Sequence, residues 1–184
     1  YTLFQNQYAD QVSQEFQLTG AINESLRYVA GLYYFDESID VDMTDATRTT
    51  AAAAQSRFNK TFTADVTSYA GFGQIEYSLG NLTFIAGARY TRDERTLDVR
   101  QVSTVAGPLF NFDSASLTAR GAAGQNIALD RTFSKTTPKL GVNWTINDDL
   151  FGYVSWTKGF RSGGWTGRAL RSDQYVNVNP EDVE

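Results

Sequence analysis

Alternation of apolar and polar side chains is the dominant pattern of this chain, and it is clearest just after Gly80-Asn81. From Leu82 to Tyr90 the even positions are apolar, and from Thr83 to Arg95 the odd positions are polar or glycine apart from Ile85. A period of two predicts a β-strand with two unlike faces. The polar face carries too many charges for a packed core. The pattern therefore predicts a transmembrane β-barrel wall, apolar outside and polar inside.

The same alternation predicts an all-β, antiparallel segment of about six strands in three hairpins. The hairpins turn at Gly20–Ser25, at Gly80-Asn81 and at Asn147–Asp149. Short turns that alternate with long connections are typical of outer-membrane barrels. The predicted strand pairs are 12–19 with 26–35, 65–79 with 82–95, and 134–146 with 150–157; the predicted long connections are 36–62, 97–131 and the stretch from 159 onward.

The turns also predict how the paired strands are aligned. A two-residue loop at Gly80-Asn81 sets Leu79 opposite Leu82. The pairs that follow from this turn and from the turn at Asn147–Asp149 are Tyr77 with Phe84, Ile75 with Ala86, Gln74 with Gly87, Phe72 with Arg89, Ile146 with Leu150, Trp144 with Gly152 and Val142 with Val154. Apolar positions then face apolar positions in both hairpins, as a fixed register requires.

Composition excludes several function classes. The chain has 184 residues, no Cys and no His, so thiol catalysis, imidazole catalysis and the usual zinc sites are excluded within it. The net charge of -5 argues against a nucleic-acid partner. Asp40, Asp42 and Asp45 lack the spacing of a calcium loop and are interpreted as a solvated acidic stretch. We expect no enzyme activity, no cofactor and no metal site.

The limits of the chain suggest a segment of a longer protein. It begins at Tyr1 without Met or a signal peptide, and it ends just after Asn179-Pro180, where a further strand is expected to begin. Six strands are also too few for a wide barrel with a polar lumen. Residues 1–184 are therefore interpreted as part of one barrel domain.

Five stretches resemble the barrel strands of TonB-dependent outer-membrane receptors, and they occur in the order found in that family. They are Ser13–Leu18, Val29–Phe35, Gly87–Asp93, Tyr153–Gly164 and Asn179–Glu181. The resemblance implies a barrel of 22 strands around an N-terminal plug, with import across a Gram-negative outer membrane driven through TonB. Neither the plug nor the TonB box is expected within this segment. The nutrient implied most often by the family is a ferric siderophore.

Two groups of candidate site residues follow. Phe160 and Trp165 are predicted to grip a ligand, while Arg161 and Arg168 attract an anionic one such as a ferric chelate. The alternative is structural: the glycines of this stretch bend a strand end, and its aromatics lie at the membrane interface. The residues predicted to face the lumen, where they contact the plug or the nutrient or form ion pairs in the wall, are Gln74, Arg89, Asp93, Lys139 and Asn143.

Two other classes remain open from the sequence. A passive porin-like channel has the same wall but lacks a plug and a TonB box. A soluble lipocalin-like barrel needs an apolar interior and a polar exterior, the reverse of the arrangement expected for Arg89 and Lys139. The expected surroundings of the transporter are outer-membrane lipid, its own plug, the TonB complex and a small-molecule nutrient.

Overall fold

The computed structural model describes residues 2–47, 56–119, 127–166 and 169–183. Six strands form one antiparallel sheet in the order β1-β2-β3-β4-β6-β7, and β5 is added to β4 beside this path. Their bounds are β1 Thr2–Ala21, β2 Leu26–Thr47, β3 Ser56–Leu79, β4 Leu82–Ser103, β5 Phe112–Asp113, β6 Asp130–Asn147 and β7 Leu150–Thr157. Each of the six strands pairs with the next of the six along the chain. The short β5, which lies between β4 and β6 in sequence, pairs among the described strands with β4 only.

Short elements lie over one side of this sheet. They are the helix α1 (Ser114–Ala119), β8 (Gly159–Arg161), β9 (Gly164–Trp165), a 3-10 turn at Ser172–Gln174, β10 (Asn177–Val178) and β11 (Glu181–Val183). β8 pairs with β11, and β9 pairs with β10, so the stretch from 159 to 183 folds back on itself. Within the described residues, no helix is both long and apolar enough to cross a membrane.

The three predicted hairpins are confirmed, and so is almost all of the register predicted for the second and third of them. Tyr77 pairs with Phe84, Phe72 pairs with Arg89, and Trp144 pairs with Gly152. One predicted pair is wrong: Leu150 lies opposite Asn147 rather than opposite Ile146. An irregularity between Thr145 and Asn147 inserts an extra residue beside the turn, which is how a β-bulge shifts register locally.

The strands are much longer than the sequence predicted. Most of the predicted connection 36–62 is strand, because β2 continues to Thr47 and β3 begins at Ser56. The predicted connection 97–131 is likewise shortened, because β4 continues to Ser103 and β6 begins at Asp130. β3 alone has 24 residues, about 80 Å at 3.3 Å per residue.

The two faces of the sheet differ, and we name them here by what lies over them. The open face carries the alternate residues that include Tyr77 and Phe84, together with their partners in neighbouring strands. The covered face carries the residues between them, such as Gln74 and Asp93. Ser162 and Asp182, both from the stretch 159–183, contact covered-face side chains, whereas the large apolar residues of the open face are solvent-exposed.

The open face changes character along each strand. Toward the three short turns it is a band of apolar side chains, which in β3 runs from Leu79 to Tyr69. Beyond the band it carries hydroxyls and carboxylates that are hydrogen-bonded across the strands, as in Thr63 to Asp40 at 2.5 Å and Thr67 to Asp36 at 2.8 Å. The covered face changes in the opposite sense: it carries polar side chains near the short turns and apolar side chains at the strand ends far from these turns.

That apolar far end holds a buried hydrophobic cluster, formed by β4 and the segments that fold over it. Val99 meets Phe112 and Leu117, and residues from the following stretch complete the cluster. Tyr175 is 1% exposed, and its ring lies edge-on to Phe112 at 5.6 Å. This cluster explains why the strands extend so far beyond the apolar band: their ends support a packed layer.

The edge of the apolar band crosses the sheet obliquely. The last apolar open-face residues before the first charged one are Val12, Tyr34, Tyr69, Tyr90 and Pro138, in β1, β2, β3, β4 and β6. Pro138 is aligned through Ala88, Gly73 and Ala30 with Leu18, six residues from Val12. Six residues span about 20 Å, and four strand spacings span about 19 Å. The edge therefore lies at about 45° to the strands.

Candidate ligand site on the covered face

A cleft of about 500 Å³ lies between the covered face and the stretch that folds over it. Phe62, Leu97 and Arg95 line it from β3 and β4, and Arg161 and Trp165 line it from the opposite side. The indole Nε1 of Trp165 donates a hydrogen bond of 2.7 Å to the carbonyl oxygen of Ala128, which fixes the ring. The cleft thus combines an aromatic ring with two guanidinium groups, and its lining also includes Glu181, which pairs in register with Arg161.

Two arginines lie directly opposite each other beside this cleft. Arg95 in β4 pairs in register with Arg131 in β6, an arrangement that is unfavourable for like charges. Arg131 donates to the carbonyl oxygens of Gly164 at 3.2 Å and Val178 at 2.7 Å, and its guanidinium lies over the ring of Phe133. Within the described chain, neither arginine has a carboxylate in an ion pair. The pair therefore places two positive charges side by side, with Asp93 two residues away on the same face and Glu181 in the adjoining cleft.

The far wall of the cleft is attached to the sheet by specific contacts. The hydroxyl of Ser162 donates to Asp93, which also accepts a hydrogen bond of 2.6 Å from Ser68. Gly163 is buried where a side chain has no room, because a Cβ there would collide with the carbonyl oxygen of Val178 and lie 2.9 Å from the ring of Phe133. These contacts set the width of the cleft.

A second attachment uses polar side chains buried deeper in the layer. Lys60 is 1% exposed and donates a hydrogen bond of 2.9 Å to the carbonyl oxygen of Ala169, and Gln101 donates one of 2.8 Å to that of Leu170. The ammonium of Lys60 also lies 5.0 Å from the ring centre of Tyr175. Burial lowers the pKa of Lys60 to about 8 and raises that of Tyr175.

Of the predicted ligand-binding residues, the structure brings two to the cleft. Arg161 and Trp165 line it, while Phe160 lies next to Arg161 in β8, half-buried and paired with Asp182. Arg168 lies outside the described residues. Sequence reasoning missed Arg131 and Lys60, because each falls in a stretch that was interpreted as a connection. The continued alternation through 56–64 and 130–134 was the signal that places them on the covered face.

All five residues predicted to face the lumen lie on the covered face. Lys139 donates a hydrogen bond of 3.1 Å to the amide oxygen of Gln74. The guanidinium of Arg89 lies over the rings of Tyr33 at 5.1 Å and Phe72 at 5.6 Å. Asp93 and Asn143, the other two, share this face, Asp93 beneath Ser162 and Asn143 opposite Thr83 near the turn.

The three aspartates considered for calcium are not brought together. Asp40 and Asp42 point to the open face, whereas Asp45 is buried on the covered face. Among the described residues, no cluster of three or more metal-ligating side chains occurs.

Comparison with known proteins assigns the chain to a family. The family model for the TonB-dependent receptor-like β-barrel matches residues 1–182. The chain belongs to this family. Members of the family are transporters rather than enzymes. The motifs that suggested the resemblance and the open, antiparallel sheet agree with this assignment.

A solved structure shows the same fold. The ferric yersiniabactin uptake receptor FyuA from Yersinia pestis superimposes with a TM-score of 0.76 at 12% identity. The match covers 98% of this chain and 25% of that receptor, so the chain spans about a quarter of its length. The sheet described above is therefore a segment of the wall of a TonB-dependent transmembrane barrel.

Proposed function

We propose that this barrel segment belongs to an outer-membrane, TonB-dependent receptor that imports a scarce and bulky nutrient, with a ferric siderophore as the leading candidate. In this proposal the open face contacts lipid and the covered face lines the lumen. The apolar band supports it: the stretch from Tyr69 to Leu79, about 33 Å along a strand tilted by about 45°, is about 23 Å tall. Barrel walls of this kind carry an apolar band about 25 Å tall.

The observation that carries the nutrient class is the cleft beside Arg95. Among the described residues, Arg95 and Arg161 form no ion pair, Glu181 lies opposite Arg161, and Trp165 supplies an aromatic surface. Arginine recognises carboxylate and related oxygens through two parallel hydrogen bonds, and aromatic rings add contact area at little entropic cost. This chemistry suits an anionic chelate with planar oxygen donors.

The two alternatives from the sequence are not favoured. Membership of the TonB-dependent receptor family argues against a passive porin-like channel. A lipocalin-like barrel requires an apolar interior, but at the depth of the apolar band the covered face carries Arg89 and Lys139. The plug and the TonB complex, which act in such receptors, are partners in this proposal.

The test is nutrient uptake by a strain that lacks the gene, complemented with the full receptor. Iron-55 complexes of ferric citrate, a catecholate and a neutral hydroxamate are the probes. We expect uptake of an anionic complex to be restored, and Arg95→Gln with Arg161→Gln to weaken its surface binding about tenfold or more. Arg92→Gln is the matched control, because Arg92 lies on the open face of the same strand. Equal binding by all three receptors contradicts the assignment of the cleft.

A further inference from the structure

The seam between β4 and β6 carries a row of cations that continues from the cleft down the covered face. The side chains of this row are Arg95 and Arg131, then Lys135, then Arg89, and finally Lys139. The register sets their spacing, because Lys135 pairs with Thr91 and Arg89 with Thr137. From Arg131 to Lys139 the row covers eight residues, about 26 Å along the strand.

Negative charge along this seam is scarce and already engaged. Asp93 is the one carboxylate that β4 and β6 contribute to the covered face between Arg95 and Lys139, and it accepts hydrogen bonds from Ser68 and Ser162. Lys135 contacts Asp182 at 2.6 Å, but both side chains are exposed, so the pair contributes little stability. Within the described residues, Arg89 and Lys139 form no ion pair at all.

The wall holds the deeper cations in place without neutralising them. The rings of Tyr33 and Phe72 flank Arg89, and its Nε donates to the hydroxyl of Thr91 at 3.3 Å. Lys139 reaches Gln74 across Gly87, where a Cβ would lie only 3.0 Å from the carbonyl oxygen of Gly73. Arg89 is therefore oriented by neutral groups, and Lys139 by the amide of Gln74, which itself donates to Glu76 at 2.9 Å.

We infer that the seam is a binding track for the anionic nutrient, along which it moves from the cleft into the membrane-spanning part of the lumen. The inference rests on the proposed function. Along the strand direction, Lys135 lies about 13 Å from the Arg95 and Arg131 pair, Arg89 about 7 Å further, and Lys139 about 7 Å beyond that. One bulky, oxygen-rich anion therefore contacts the next cation before it leaves the previous one. The track ends at Lys139, since the covered face of β6 below it carries only Gly141, Asn143 and Thr145.

A static alternative has a different electrostatic consequence. If acidic side chains elsewhere in the full receptor are permanently paired with these cations, the seam is neutral or sealed. If the track binds a passing anion, the empty seam keeps a positive potential that is accessible to water. The two cases are distinguished by comparing how anionic and cationic reagents reach a side chain between the cations.

A cysteine at Thr137 provides that measurement, because this chain contains no native cysteine and Thr137 lies opposite Arg89. The full receptor, freed of any other cysteine, is treated separately with an anionic and a cationic methanethiosulfonate reagent. The rate of thiol modification by the anionic reagent is divided by that of the cationic reagent, and this ratio is compared with the ratio for a free thiol in solution. We expect the anionic reagent to be favoured. Arg89→Gln with Lys139→Gln should reduce the ratio about fivefold or more.

The matched control is Thr83→Cys, on the same face and strand seam but beyond the end of the track. Thr83 is four residues, or about 13 Å, from Gly87, which is the partner of Lys139. This distance exceeds the screening length in physiological salt, so the cations of the track act only weakly on a thiol at position 83. Its ratio should resemble that of a free thiol and should not change with the double substitution. A ratio at Thr137 that is also unaffected, or a Thr137 thiol that neither reagent reaches, overturns the track. Neither result bears on whether the receptor restores uptake, so the two proposals fail separately.

Discussion

Val142 and Asn143 are neighbours in β6, yet their side chains lie on opposite faces of the sheet. Val142 pairs with Phe84 in the apolar band, whereas Asn143 pairs with Thr83 on the covered face. Both positions are at nearly the same depth, because they are consecutive residues. Any difference in their tolerance of charge therefore reports the face and not the depth.

We expect Val142→Arg to destabilise the full receptor by about 2 to 4 kcal/mol, because it places a guanidinium near the middle of the lipid-facing band. Asn143→Arg should cost much less, since a lumen position keeps its water. The measurement is chemical unfolding of both variants in lipid vesicles. Equal costs contradict the proposed assignment of the faces to lipid and lumen.

Single residues also show where sequence reasoning was adequate for the site. Arg161 and Trp165 were identified because a glycine-rich stretch placed an arginine and a tryptophan near a strand end. Arg131 was missed, although it directly opposes Arg95 in the structure. Its role depends on a strand pair that is remote in sequence, and no turn links β4 directly to β6. Local patterns fix hairpins, but they do not align strands across long connections.

At the scale of elements, the register of the second and third hairpins was predictable because two constraints agree in each of them. A short turn fixes which residues are opposite, and the apolar parity of both strands confirms that alignment. The far halves of β2 and β3 were not predictable on the same terms. There the alternation reverses: Val41 and Met43 lie buried on the covered face, and the neighbouring Asp40 and Asp42 lie on the open face. If the apolar residues of a strand are required to stay on one face along its whole length, this reversal ends the predicted strand, and the residues beyond it are assigned to a loop.

Glycines within the strands provide a test of packing between elements. A Cβ on Gly31 would lie 2.7 Å from the carbonyl oxygen of Phe16 in β1 and would collide with the ring of Phe72 in β3. A Cβ on Gly71 meets nothing nearer than Leu32 at 3.7 Å. Gly31 is therefore required by its neighbours, and Gly71 is not.

We expect Gly31→Ala to destabilise the receptor by about 1 to 3 kcal/mol, because overpacking forces the backbone of β1 or the ring of Phe72 to move. Gly71→Ala should change stability by less than about 0.5 kcal/mol. Unfolding midpoints of the two variants, measured side by side, provide the check. If Gly71→Ala is the more harmful substitution, the packing of β1, β2 and β3 described here is wrong.

For the whole molecule, the oblique edge of the apolar band predicts how the wall is immersed. Val12 in β1 and Pro138 in β6 both mark that edge, although Pro138 is aligned through the strands with Leu18. If the edge is parallel to the membrane surface, the strands are tilted by about 45°, within the range of known barrels.

Spin labels placed singly at Val12, Leu18 and Pro138 of the full receptor test this geometry. We expect the labels at Val12 and Pro138 to have the same immersion depth, and the label at Leu18 to lie about 14 Å deeper, from its separation of about 20 Å along a tilted strand. Relative collision rates with oxygen and with a water-soluble nickel chelate give the depths. Matching depths at Leu18 and Pro138 would instead mean upright strands.

The reversal of polarity along β2, β3 and β4 has a mechanical consequence. If the wall moved inward by two residues per strand, carboxylates such as Asp36 and the guanidinium of Arg92 would enter the edge of the hydrocarbon, each at a cost of up to about 1 kcal/mol. If it moved outward by the same distance, the apolar residues next to the short turns would enter water. The cost rises in both directions, so the wall occupies a narrow free-energy minimum along the membrane normal. A force applied to anything held inside the barrel would then displace that content before it displaced the wall.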